Sequence, residues 1–216
     1  MRATLIHDSP VEFDVEWLRR RFAAGASPPD MIYGDQGTSP REAGGRAERP
    51  GLTPAAVLIP IVAREDELTV LLTQRTAHLK AHSGQVSFPG GKFEPGDASE
   101  EATALRETLE EIGLASERIE LLGRLSRYHT RTGFRVTPVV GLVMPPFELQ
   151  PDAQEVGEVF EVPLSFLLDP ANHQRHAREF QGRQIPYFAI PYGRHYIWGA
   201  TAAMLVNFYR FLAGPA

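Results

Sequence analysis

Hydrophobic and polar positions along the chain switch between strand-like and helix-like spacing, and the switches mark out most of its regular structure. AAVLIPIVA (55–63) is an apolar, partly β-branched run that reads as a strand. ELTVLLTQR (67–75) follows across the charged turn RED as a second strand. QVSF (85–88) is a short third, stopped by Pro89-Gly90-Gly91. Helical spacing takes over across 98–113, and strands return at 118–126 and 134–144. EVFEVPLSFLLD (158–169) reads as a strand running into a helical turn, and HAREFQGRQIPYFAI (176–190) as a hairpin turning at Gly182. WGATAAMLVNFYRFL (198–212) closes the chain as a helix whose Met204, Leu205, Phe208, Phe211 and Leu212 form a core-packing face.

Strands on either side of a helix, with another helix at the end, imply an α/β protein: a mixed sheet covered on both faces. The first part of the chain differs. DVEWLRRRFAA (14–24) reads as a short amphipathic helix, and residues 25–53 carry ten Gly or Pro among twenty-nine positions. That composition favours an arm over a packed element. The expected division is therefore residues 1–53, a helix plus Gly/Pro-rich arm, and residues 54–216, the main domain.

Composition narrows the classes. A chain of 216 residues suits one substantial domain, and 43% hydrophobic with 23% charged residues is ordinary for a soluble protein. A formal net charge of −5 argues against a nucleic-acid partner held by phosphate neutralisation. The absence of cysteine excludes disulfides, thiol catalysis and Cys-ligated zinc. No apolar run approaches the ~20 residues of a membrane span, and MRATLIHDSPVEF lacks the layout of a signal peptide. The expected setting is the cytoplasm, with no membrane partner. A homodimer is compatible with the closing helix.

The chemistry concentrates in helix 98–113. Asp97 is the expected N-cap, with Glu100 three residues on, and Gly113 the expected stop. At about 100° per residue, Glu107, Glu110 and Glu111 fall within roughly 100° of one another. Ala102, Leu105, Leu109 and Ile112 gather on the opposite side, which is expected to be the packed face. Like charges at this spacing repel by a few tenths of a kcal/mol per pair, and Glu110 and Glu111 also oppose the helix dipole. A solvated acidic face is one reading. A divalent cation held by hard oxygen donors is the other, and it compensates both penalties.

Gly91, Arg106-Glu107, Glu110-Glu111 and Gly113-Leu114 together resemble the Nudix box, G-x5-E-x7-R-E-U-x-E-E-x-G-U. The segment from Gly91 to Arg106 is one residue longer than the box, Asp97 stands where its first Glu would be, and Thr108 takes an aliphatic position. The resemblance implies the Nudix fold, an α/β/α sandwich, and hydrolysis of a nucleoside diphosphate linked to another group. It implies Glu107, Glu110 and Glu111 as ligands of Mg²⁺ or Mn²⁺, Arg106 as the residue steadying them, and Gly91 as the place where backbone nears the metal. A further carboxylate is expected from a downstream loop: Glu155, with Glu158 as competitor.

Upstream, LLTQRTAHLKAHSGQVSFPGG (71–91) resembles the additional signature of the coenzyme A pyrophosphatase branch, LLTxTSx3Rx3Gx3FPGG. Arg75, Thr76 and Lys80 depart from it. This resemblance implies coenzyme A or a derivative as the small-molecule substrate, cleaved to 3′,5′-ADP and 4′-phosphopantetheine. Such a ligand needs cations beyond the metal, and Arg75, His78, Lys80, His82, Arg131 and Arg135 are the candidates; Gly84 is counted with them as substrate-binding, and it and Gly90-Gly91 are expected in tight turns as well. The alternatives are a Nudix hydrolase of ADP-ribose, NADH or a nucleoside triphosphate, and a Nudix-fold binding module without catalysis.

Overall fold

The structure is a computed structural model, and it describes residues 13–24, 33–34, 51–76, 84–180 and 182–214. The candidate residues His78, Lys80 and His82 lie outside the described residues, as does most of the Gly/Pro-rich arm. The first half comprises helix α1 (Val15–Ala23), strands β1 (Tyr33–Gly34), β2 (Thr53–Ala63), β3 (Leu68–Arg75), β4 (Val86–Ser87) and β5 (Gly90–Lys92), and helix α2 (Glu100–Ile112). Strands β6 (Ile119–Arg124), β7 (Tyr128–His129), β8 (Phe134–Val143) and β9 (Val156–Pro163) follow, the last running into the single turn α3 (Leu164–Leu167). The chain continues through β10 (Gln174–Phe180), β11 (Arg183–Tyr192) and β12 (His195–Trp198) to helix α4 (Ala200–Ala213).

The centre of the main sheet is β2, parallel to β8 over ten registered pairs from Thr53↔Phe134 to Val62↔Val143. Their unbroken apolar character follows from burial on both sides. Ala55, Ile59 and Ile61 point into the larger core with α4, whereas Ala56 and Leu58 meet Ala104 of α2. The other edge of β2 is split, with β5 pairing Ala55–Val57 and β3 pairing Ile61–Ala63. In the gap, the Leu58 amide donates to Pro89 O at 2.9 Å. Pro60 shares that side by alternation, so its missing N–H falls where no neighbouring strand needs it. This gap admits the Pro89-Gly90-Gly91 turn to the middle of the sheet.

Most of the expected elements are present, with three differences. The closing helix starts at Ala200; the preceding HYIW is β12, antiparallel to β11. The expected hairpin thus belongs to a second, three-stranded sheet, β10-β11-β12. The N-cap of α2 is Ser99, whose side chain accepts from the Ala102 amide at 3.2 Å, and not Asp97. Asp97 is bound elsewhere, as described below. No helix among the described residues is long and apolar enough to cross a membrane.

Helix α1 docks on α4. Leu18 is fully buried, Phe22 packs on Phe211 with ring centroids 4.9 Å apart, and Arg21 Nη2 donates to Phe211 O and Gly214 O at 2.5 and 2.8 Å. These are carbonyls that the end of α4 cannot satisfy itself. Leu18→Ala should therefore lower the unfolding free energy by about 2–5 kcal/mol in denaturant melts. An unchanged midpoint would mean that α1 is not part of the folded unit.

Candidate functional site

Helix α2 is turned from the expected packing: of the four residues expected on its packed face, only Ile112 is buried. Its buried side chains are Thr103, Ala104, Thr108, Glu111 and Ile112, while Leu109 is 50% exposed. Two glycines are the reason. A Cβ on Gly90 would run into Ala56 O and Val57 Cα, and a Cβ on Gly91 would overlap the Glu107 carboxylate. With no side chain at Gly90 or Gly91, α2 lies close enough for its carboxylates to enter beneath this part of β5. The hydroxyl of Thr108, at the aliphatic position of the box, is satisfied within the helix by Ala104 O at 2.6 Å. Burying it there leaves no orphaned donor.

Glu111 is 8% exposed, accepts from the Gly90 amide at 3.3 Å, and has no ion pair among the described residues. Burial pushes its carboxyl up to about 7; the Gly90 amide works against the shift, as does the Arg75 charge, and the Glu107 and Glu155 charges add to it. Burial also raises Glu107, with the Arg106 bond opposing. Glu110 points outward.

Arg106 holds this end of the site together. Its Nε and Nη2 each donate to Asp97 at 3.0 Å, Nη1 donates to Glu107 and Glu110 at 3.0 Å, and Nη2 reaches Lys92 O at 3.1 Å. That uses the full guanidinium fork. Asp97 is fixed in turn by the Glu94 amide at 2.9 Å and the Thr103 hydroxyl at 2.8 Å. The Arg106 bond holds its carboxyl well below the usual carboxylate range. Sequence reasoning missed this lock. Its signal was Asp97 at the box's acidic position, which was read as a cap.

Arg75 and Glu155 approach from the other side. The pairing of β3 with β9 shifts register between Gln74 and Arg75, and beyond it Thr76 N donates to Glu155 O at 3.0 Å. The Glu155 carboxylate lies 3.9 Å from Arg75 Nη2 and close enough to Glu107 and Glu111 to raise both. Glu158, the competitor, is engaged by Arg194 and by His195 Nε2 at 3.4 Å, on a neighbouring hairpin. Gly84 makes a turn at φ 68° with open space around it. Arg135 pairs in register with Pro54, one strand from Lys92, and Arg131 lies 5.2 Å over the Phe180 ring.

Thus Gly91, Arg106, Glu107, Glu110, Glu111, Glu155 and Arg75 are brought into one neighbourhood. Among the described residues no three acidic or histidine side chains converge as a formed metal cage. The donor chemistry nevertheless fits a hard divalent cation. A buried carboxylate with one hydrogen bond, a second beside it and a third across the cleft are oxygen donors whose mutual repulsion a cation would relieve.

A sequence model of the NUDIX domain matches residues 52–182. The chain is 41% identical to an uncharacterized Nudix hydrolase, NudL, of Photorhabdus laumondii subsp. laumondii over 151 residues, covering 70% of this chain and 80% of that protein. It is 40% identical to the NudL protein of Enterobacter sp. (strain 638), covering 70% and 78%. Among solved structures it is similar to a C. elegans Ap4A hydrolase binary complex, with a TM-score of 0.45 and 22% identity, covering 51% of this chain and 80% of that one.

Two outcomes follow from the buried carboxylates. A carboxyl raised from 4.5 to about 7 binds more protons folded than unfolded, so metal-free protein loses stability as pH climbs through that interval. Glu111→Gln should then be the more stable protein above pH 7, by on the order of 1–3 kcal/mol, with the advantage shrinking as pH falls toward 5. Thermal melts in chelator across pH would read this, and a pH-independent difference would rule it out. Gly90→Ala forces Cβ against backbone and should cost about 1–3 kcal/mol or more. Gly91→Ala meets only the end of the Glu107 side chain, so its melt should move less while cation-dependent stabilisation is lost. Equal melting losses would contradict the placement.

Proposed function

We infer the reaction from a single premise: the chain belongs to the Nudix family. Members generally use divalent cations and act on nucleotide derivatives. Within that frame, we propose a cytoplasmic, Mg²⁺- or Mn²⁺-dependent hydrolase that cleaves the diphosphate of coenzyme A or its derivatives to 3′,5′-ADP and 4′-phosphopantetheine. The observation that carries hydrolysis is the buried Glu111, set between the Gly90 amide, Glu107 and Glu155. What supports coenzyme A is the stretch from Leu71 to Gly91, which leads directly into that site.

Glu107, Glu110 and Glu111, with backbone near Gly91, would hold the cation. When bound, the cation neutralises phosphate oxygens and lowers the pKa of a water near them. The chain's own groups account for the rest. Arg75, at the register shift beside Glu155, faces phosphate charge from the cleft side. Arg106 keeps Glu107 in place through its lock on Asp97. A water oxygen attacks one phosphorus and the bridging P–O bond breaks. The leaving phosphate takes the electron pair, while a carboxylate in the Glu107, Glu111 and Glu155 group accepts the proton of the water. These carboxylates are coupled, so the base belongs to the group.

Incubation with coenzyme A and Mg²⁺ in ¹⁸O-labelled water, followed by mass spectrometry, should yield 3′,5′-ADP and 4′-phosphopantetheine with label in one of them. Glu111→Gln should slow release by about 10²–10⁴-fold. Faster turnover of ADP-ribose, NADH or a nucleoside triphosphate would replace the substrate while leaving the reaction type. Binding of every nucleotide without product would make the chain a binding module.

A further inference from the structure

The second sheet turns one face into the main core; on its other face Ile185 and Ala189 are buried, while the larger side chains remain at least partly exposed. Phe188 and Ile190 of β11 and Ile197 of β12 are buried in the main core. Alternation therefore turns His176, Arg178 and Phe180 of β10, Tyr187 of β11 and Trp198 of β12 to the other side. There the rings and cations interlock. Tyr187 meets Trp198 edge-on with centroids 5.6 Å apart, the Arg178 guanidinium lies 5.4 Å over Trp198, and the His176 ring lies 5.6 Å from Tyr187. Phe180, 46% exposed, carries Arg131 over it at 5.2 Å.

The sheet that carries this face is linked to the strands of the candidate site in two places. At one end β12 runs beside β4: the Thr201 hydroxyl donates to Val86 O at 3.0 Å, and Gly199 lies against the Gln85 side chain. Both contacts are on the strand that leads into the Phe88–Gly91 turn. At the other end Arg131 comes from the turn before β8, whose Gly133 O accepts from Thr53 at the start of β2. β2 pairs Ala56 with Gly91.

We propose that this face is the subsite for the nucleoside end of the substrate: an adenine nucleotide carrying a phosphate apart from the cleaved diphosphate. Aromatic rings with solvent-facing edges offer a stacking surface to a base. Guanidinium groups laid over those rings match a phosphate that the cation site does not hold. Charge points the same way, since the chain carries −5 overall yet presents two arginines over the rings of one small face. Aliphatic and neutral-arm contacts would need neither arginine. The proposal rests on the preceding reading only for where the cleaved diphosphate lies.

The test uses Trp198 as its own reporter, because the chain has two tryptophans and Trp17→Phe silences the other. In metal-free buffer, adenosine 3′,5′-bisphosphate should quench the fluorescence of the Trp17→Phe protein saturably. Arg178→Ala should weaken that binding about tenfold while weakening adenosine far less. In turnover the same variant should raise KM by a similar factor and leave kcat within about twofold. Absence of saturable quenching, or equal affinity in Arg178→Ala, overturns the subsite. Quenching without hydrolysis of coenzyme A would keep the subsite and remove the substrate proposal. Hydrolysis with KM unmoved by Arg178→Ala would do the reverse.

Discussion

The close approach of α2 to the glycine strand β5 is the contact on which the rest of the site depends. A helix can bring carboxylates to the middle of a sheet only if the facing strand has nothing to displace. Gly91 provides that opening over Glu107, while Gly90 lies so tightly against Ala56 and Val57 that its amide reaches Glu111. Small side chains on the helix, Thr103, Ala104 and Thr108, continue the same close seam. The result is an acidic group in a low-dielectric setting, the Glu111 carboxyl pushed up to about 7 by burial. Only a structure with a firm two-sided core can support such an arrangement, and β2, β3 and β8 supply it.

Charge at this seam is organised so that one cation does not quench every carboxylate. Arg106 spends two of its donors on Asp97, which contributes nothing else to the cleft, and thereby cannot rotate fully onto Glu107 and Glu110. Glu111 is left outside its reach. The last turn of α2 contains no basic residue to offset Glu110 and Glu111 against the helix dipole. Those penalties persist in the free protein, and the site is accordingly the place where added positive charge has most to gain.

Legibility in the sequence followed the physics of each element. The strands β2, β3 and β8 announced themselves because burial on both faces demands unbroken apolar runs. The strand β12 was hidden because HYIW is four residues long and abuts a helix of similar composition. The carboxylates of the site were readable from spacing, but not the direction in which they face. A wheel weighs hydrophobicity, and Leu105 and Leu109 outvoted Thr and Ala; it has no term for a neighbour lacking Cβ. Asp97 was misread for a related reason. Capping is a local pattern, while its bond to Arg106 spans nine residues and requires the loop to close first.

On the proposed reading, the division of the chain into two sheets gives the two halves of a nucleotide separate supports. Cleavage chemistry needs rigid, crowded acid groups, which the main sheet and α2 provide. Recognition of a base and a distant phosphate needs flat rings and cations, which would be neutralised if placed among those carboxylates. The hairpin β10–β11 keeps Arg178 and its rings on a different sheet, and β12 links that sheet to β4. Glu158 of β9 is already claimed at the β11–β12 turn by Arg194 and His195. Opposite charges are thus kept apart by strand topology, as the proposed separation of nucleotide recognition from cleavage requires.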